Sequence, residues 1–410
     1  MTDYLWQNTG KLLGFLIGCN AIITGFVNSA SAQIVPDNTL GNEASQLLNV
    51  PGFPVQVIEG GAVRGTNLFH SFSQFNVRGG EGAYFANPAG IQNILSRVTG
   101  TEPSRILGLL GVSGNANLFL INPNGIVFGP NARLDVKGAF VGTTANSVLF
   151  PDGLQFSATD IQDSSLLSIN IPIGLQFGSQ PGSITNQAVN GLIIGSSRTL
   201  ALVGGEITLD NGILFAPNGQ IKLAAVGGDT TFGLDINGSS VGFELSENLR
   251  RAPINLTNGS FIVTNGNSAI ELFGGQIGLE GSTIASLGGS IWVDATQFNL
   301  NNGSSIQSIT SRAANGGDIQ IQASDAVTVT NGSLISSTSN NSATGGDVTI
   351  NSKKITVAGD GIPENSGLIA VITSSSGNGG NLNLNATESV NINGGFVSVV
   401  SGGCAVKRCS

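Results

Sequence analysis

The sequence predicts an all-β solenoid, a right-handed parallel β-helix closed by an N-terminal cap. Two observations carry that prediction: an unusual composition and a strand repeat in the second half of the chain. Glycine supplies 60 of the 410 residues, roughly twice its usual share of about 7%. Charged residues make up only 10%, against about a quarter in an average domain. A single globular core does not need such a composition. A coil does, because each turn requires several tight corners and small uncharged residues that stack on copies of themselves.

The repeat begins with glycine pairs at Gly288-Gly289, Gly316-Gly317, Gly345-Gly346 and Gly379-Gly380. Their period is about 28 to 34 residues. Each pair precedes an alternating strand: Ile291/Val293/Ala295, Ile319/Ile321/Ala323, Val348/Ile350/Ser352 and Leu382/Leu384/Ala386. These residues are expected to point inward, with Gln320, Thr349 and Asn383 outward. A second strand carries Phe298/Leu300, Val327/Val329, Ile355/Val357 and Val390/Ile392, and a third carries Ile306/Ile309, Leu334/Ile335, Leu368/Ile369 and Phe396/Val397. Three strands per period with glycine or Asn-Gly corners describe a parallel β-helix. Ser290, Asp318, Asp347 and Asn381 share one corner position. Stacked carboxylates there would repel mildly. Either a bound calcium relieves that repulsion, or the corner is simply solvated with Asp favoured by turn geometry, which is the expectation.

The stretch from Asn115 to Ala145 reads as strand, turn, strand, turn, strand. Asn122-Pro123-Asn124-Gly125 makes the first turn. Pro123 presets φ at its corner, and Asn124-Gly125 tolerates the positive φ that follows. Gly129-Pro130-Asn131 makes the second. LFLINPNGIVFGPNARLDV within this stretch resembles the signature of the filamentous-haemagglutinin N-terminal domain, the secretion domain of two-partner secretion exoproteins. The flanking blocks Leu68–Val77, Tyr84–Gly100 and Ala216–Gly227 agree, and the wording is nearest to the cyanobacterial branch.

The resemblance implies export through a dedicated outer-membrane β-barrel transporter with periplasmic POTRA modules, and an adhesin-like rod at the surface or in the medium. It also implies that Asn122, Pro123, Asn124 and Gly125 are required for secretion. Two readings of that tetrad stay open: the transporter recognises it, or it builds the corner on which the domain folds. Asn87-Pro88-Ala89-Gly90 has a similar form and is a second candidate corner, with Asn87, Pro88 and Gly90 as its site residues. The family's other tetrad, NPNL, has no clear match.

The N-terminus reads as a targeting segment. Lys11 opens it, Leu12–Val27 is mostly apolar, and Ala30-Ser31-Ala32 offers small residues for cleavage before Gln33. The expected division is a signal peptide over 1–32, a secretion domain with its cap over 33–285, and continuing repeats over 286–410. Cys404 and Cys409 remain after cleavage. Under oxidising conditions they suit a small terminal disulfide loop, the alternative being an untidy end with no pairing. By resemblance, such a pair helps retain some adhesins at the surface.

A net charge of −9 argues against a nucleic-acid partner and against an anionic membrane surface. One histidine, His70, lies between aromatics and reads as a packed residue rather than a catalyst. No zinc, nucleotide-loop or nucleophile-elbow pattern occurs. No cofactor, no enzymatic activity and a monomer are expected. The alternative is a secreted glycan-binding or polysaccharide-cleaving β-helix. Its acidic pairs would be Asp160/Asp163 and Glu244/Glu247, the latter beside Arg250 and Arg251, and Trp292 is the one outer-face candidate for a glycan or host-surface ligand.

Overall fold

The computed structural model describes residues 34–401, apart from 162–163, 247–248, 267, 311–315, 341–343 and 374–378. The expected signal segment with its Ala32–Gln33 cleavage point and the Cys404/Cys409 pair lie outside the described residues.

The chain forms a parallel β-helix. Among the described residues, 19 strands join in one long sheet that wraps two faces of the coil. A five-stranded and an eight-stranded sheet follow one another on the remaining face. The cap uses antiparallel pairing. Ile34–Pro36 and Ala62–Arg64 both run antiparallel to the first full strand, Asn67–Phe75. The hairpin Ser45–Asn49/Val55–Gly60 closes the adjacent face.

One register column shows why this sequence coils. Leu68, Ile94, Leu118, Phe140, Leu200, Ile221, Ile270, Ile291, Ile319, Val348 and Leu382 are paired rung upon rung without a break. All but Leu382 are buried. A single rung could not cover its own inner face, but each rung covers its neighbours.

The next column outward changes character along the molecule. It starts as Phe69, Leu95, Phe119, Val141 and Ala201, all with no solvent exposure. It passes through Lys222 and Glu271, which form an ion pair at 2.7 Å, and ends as Trp292, Gln320, Thr349 and Asn383. The change follows what lies on top. A five-stranded antiparallel sheet covers the first half, built from Ser147–Leu149, Gln155–Ser157, Gly174–Phe177, Thr230–Asn237 and Ser240–Glu244. Its Phe156, Leu175, Phe177, Phe232, Leu234 and Val241 pack against the outer face of the coil as a second core.

One expectation, the separation of the first two strands in each repeat, needs correction. The outer sheet draws three strands from 147–177 and two from the hairpin of 230–244. Within INIPIGLQF, only Gly174–Phe177 is a strand, and Ile169, Ile171 and Ile173 are exposed. In the repeats, the first two strands of each period are continuous: Ser290–Asn301 runs for 12 residues. No turn separates the two strands; instead the pairing with Ile319–Val329 shifts register between Ala295 and Gln297, where the next rung carries one extra residue.

Candidate functional site

The tetrad lies between the strands Asn117–Ile121 and Ile126–Phe128. The Gly125 N–H donates to the Asn122 carbonyl at 3.1 Å, so the turn spans Asn122 to Gly125 with Pro123 and Asn124 at its centre. Only Gly125 takes a positive φ, +122°. A Cβ there would lie 2.9 Å from the Ser183 carbonyl on the next rung. Neighbouring rungs clamp the corner on both sides. The Gly125 carbonyl accepts from the Ser104 N–H at 3.0 Å, and the Pro123 carbonyl accepts from the Gly182 N–H at 3.0 Å.

Asn122 is fully buried, and its amide is consumed locally. Its Nδ2 donates to the Glu102 carbonyl and to Ser104 Oγ, both at 3.0 Å. Its Oδ1 accepts from the Asn124 N–H at 3.0 Å, an Asx turn that fixes the chain after Pro123. Asn124 is exposed, yet its Nδ2 reaches the Gly100 carbonyl at 2.7 Å. At Asn122 the carboxamide is needed because one end must donate and the other accept.

Asn87–Gly90 is a corner of different register. The Ile91 N–H donates to the Pro88 carbonyl at 3.2 Å, so this turn begins at Pro88 and places Gly90, φ +87°, third. Asn87 stands before it and links rungs, its Oδ1 accepting from the Ala116 N–H at 3.0 Å.

Two buried polar arrays were missed by sequence reasoning. Asn67, Asn93 and Asn117 each open a strand of the covered face and form a ladder. Asn93 Nδ2 donates to Asn67 Oδ1 at 3.1 Å, and Asn117 Nδ2 donates to Asn93 Oδ1 at 2.9 Å. The signal was present: an Asn precedes the apolar run in NLFHSF, NILSRV and NLFLI. The second array centres on Arg97, 2% exposed. Its Nε, Nη1 and Nη2 donate to Ser71 Oγ, the Ser157 carbonyl and Thr39 Oγ1 at 2.9, 2.7 and 2.9 Å. Its guanidinium lies 4.4 Å over the Phe156 ring. Burial lowers its pKa to about 10, against the opposing attraction of Asp37. Burial pushes the Asp37 carboxyl up, but hydrogen bonds from Thr39, Thr99 and Ser71 outweigh it and hold the group below its ordinary value.

His70 is packed, as its aromatic neighbours suggested. It has no exposed surface, its Nδ1 lies 3.0 Å from Ser45 Oγ, and its ring centroid lies 5.2 Å from that of Phe85. Burial lowers its pKa to about 3, so the imidazole is neutral.

At the stacked corner of the repeats, the carboxylates meet backbone N–H groups. Asp318 Oδ1 accepts the Asp347 N–H at 2.9 Å, and Asp347 Oδ1 accepts the Asn381 N–H at 2.6 Å. Each carboxylate is held by the backbone of the following rung. Among the described residues, no group of three His, Cys, Asp or Glu side chains could hold a metal ion. Of the acidic pairs, Asp163 and Glu247 lie outside the described residues. Glu244 is exposed at a strand end, Arg250 pairs with Asp229 at 3.7 Å, and Arg251 pairs with Asp294.

Comparison with known proteins adds a family. The model of the TPS secretion domain matches residues 32–277. The crystal structure of the HMW1 secretion domain from Haemophilus influenzae is similar at 16% identity and a TM-score of 0.48, covering 90% of this chain and 100% of that one. The filamentous hemagglutinin secretion domain is similar at 17% identity and a TM-score of 0.35, covering 89% and 99%. No curated protein sequence matches. Because the family model spans well over half of the sequence, this chain belongs to the TPS, or two-partner, secretion domain family.

Proposed function

We propose that this chain is an exoprotein carried across the outer membrane by a dedicated β-barrel transporter, and that it folds outside the cell into an adhesin-like rod. In this reading residues 1–32 are removed, 33–285 act as the secretion domain, and 286–410 continue the rod. The transporter's POTRA modules would take an extended segment of the unfolded chain by adding it as a strand to an exposed sheet edge. One observation carries the mechanism: the Asn122 amide is fully buried, with both ends hydrogen-bonded inside the corner. A partner that reads this amide must do so before the corner closes. Once outside, each rung that stacks buries apolar side chains, worth about 1.5–3 kcal/mol for each Leu, Ile or Val, and completes a backbone ladder. That gain biases movement outward without a nucleotide.

Support for adhesion is narrower. Beyond the outer sheet, the coil presents Trp292, half-buried, followed on successive rungs by Gln320, Thr349 and Asn383. This is an uncharged amide and hydroxyl row beside one aromatic ring, chemistry suited to a sugar.

The test is binding of the purified periplasmic part of the transporter to this chain, presented either unfolded in dilute urea or refolded. Binding confined to the unfolded chain is expected, weakened by Asn122→Ala. Equal binding of the refolded chain would contradict recognition before folding.

A further inference from the structure

We infer that the first rungs of the helix and the outer antiparallel sheet are one cooperative folding unit, latched by Asn67, Arg97 and Asn117. The amino-terminal rungs therefore lock only when the chain as far as Val241 is in place. This goes beyond the export reading and does not depend on it.

The argument begins with what the early rungs would expose alone. Phe69, Leu95, Phe119, Ile121, Val141, Ala201 and Val203 face outward and have no solvent exposure. Most of that cover comes from the outer sheet and its connections, through side chains as late as Phe232 and Val241, with Leu40 and Ala62 of the cap adding to it. Large apolar rows left open to water forfeit their burial and invite association. The outer sheet is equally dependent. Among the described residues its five strands pair only with one another, and its apolar face packs on the coil and the adjoining cap.

The three latch residues set how the two parts fit. Asn67 Nδ2 donates to the carbonyls of Ser168 and Asn170, at 3.2 and 2.6 Å. Arg97 Nη1 donates to the Ser157 carbonyl, and the guanidinium stacks on Phe156. Asn117 Nδ2 donates to the Gly238 carbonyl at 2.7 Å. Three successive strands of the coil thus each send one donor into a different part of the outer sheet and its connections. A fourth link comes from Thr199, whose Oγ1 accepts the Val241 N–H at 3.1 Å. In an undocked chain, water would satisfy all of these groups. Their contribution is to reject wrong dockings, since a slipped sheet would bury Arg97 or the Asn ladder without acceptors. Apolar cover provides the free energy, and the latch provides the register.

Contacts of this kind join residues about 60 to 120 positions apart in sequence, so the amino-terminal coil cannot grow one rung at a time. On the export reading, a chain whose 230–244 region is still in transit holds its first rungs open.

Native-state hydrogen exchange on the purified full chain tests the coupling. In denaturant below the unfolding transition, amides of Asn93–Val98 and Asn117–Ile121 are expected to open with the same free energy and denaturant slope as those of Thr230–Asn237. Phe232→Leu alters the outer sheet without touching any latch residue. It is expected to lower protection of all three segments by one common factor of about ten. Wild-type isotherms that stay separate, or a Phe232→Leu effect confined to 230–244, would overturn the inference. Neither readout involves the transporter, so failure here leaves the export proposal standing.

Discussion

Asn122 and Asn87 stand in sequence patterns of one form, and the structure gives them different work. Asn122 opens its turn and holds it by an Asx bond, while Asn87 precedes its turn and ties two rungs. NPNG and NPAG show that corners exist; the register of each depends on which neighbouring carbonyls lie within reach, and those come from other rungs. Asn122→Ala should cost about 2–3 kcal/mol through buried partners left unpaired. Asn122→Asp has the same shape but turns its donor end toward the Glu102 carbonyl as an acceptor. In urea denaturation at neutral pH it should be at least as unstable as the alanine variant, and it should recover as acid protonates it. His70 gives a second residue-scale prediction. Its folded pKa of about 3 lies below its ordinary 6.5, so the unfolded chain binds the extra proton. Its contribution is fully present above pH 6.5 and is lost as pH falls toward 3. Between pH 6.5 and 5 the wild type should lose about 2 kcal/mol, and His70→Leu should show a much flatter profile over that window.

The repeats of the second half were legible in detail at the scale of single elements. Alternation in Ile291/Val293/Ala295 and its successors fixes the inward face, and all but the last rung's set are buried or nearly so. The continuity of Ser290–Asn301 was not legible, because the one-residue register shift against Ile319–Val329 leaves no turn residue to mark it. Stacked Asp318 and Asp347 looked repulsive in sequence because the sequence does not display backbone N–H groups. Each carboxylate meets one from the next rung. Asp347→Asn keeps an acceptor and removes a like charge, so its thermal midpoint should equal or exceed that of the wild type. Added calcium or a chelator should leave both midpoints unchanged; a calcium-dependent rise lost in Asp347→Asn would show a cation site at that corner.

At the scale of the whole molecule, the coil was readable and its cover was not. Continuous apolar runs such as NLFLI and TLALVG state that both faces of those strands are buried, and a bare solenoid buries only one. That excess was the available sign of a second layer. Its source in 230–244 was hidden, because those strands alternate like any coil strand and the antiparallel pairing that joins their hairpin to Gly174–Phe177 is long-range. Membership of the TPS secretion domain family rests on residues 32–277, and the central claim built on it is passage through a partner transporter. The most direct measurement is an immunoblot of medium, cell surface and periplasm with the transporter gene present and deleted. Loss of the chain from medium and surface on deletion, with degraded material in the periplasm, is the predicted result. Unchanged surface and medium levels would contradict the account.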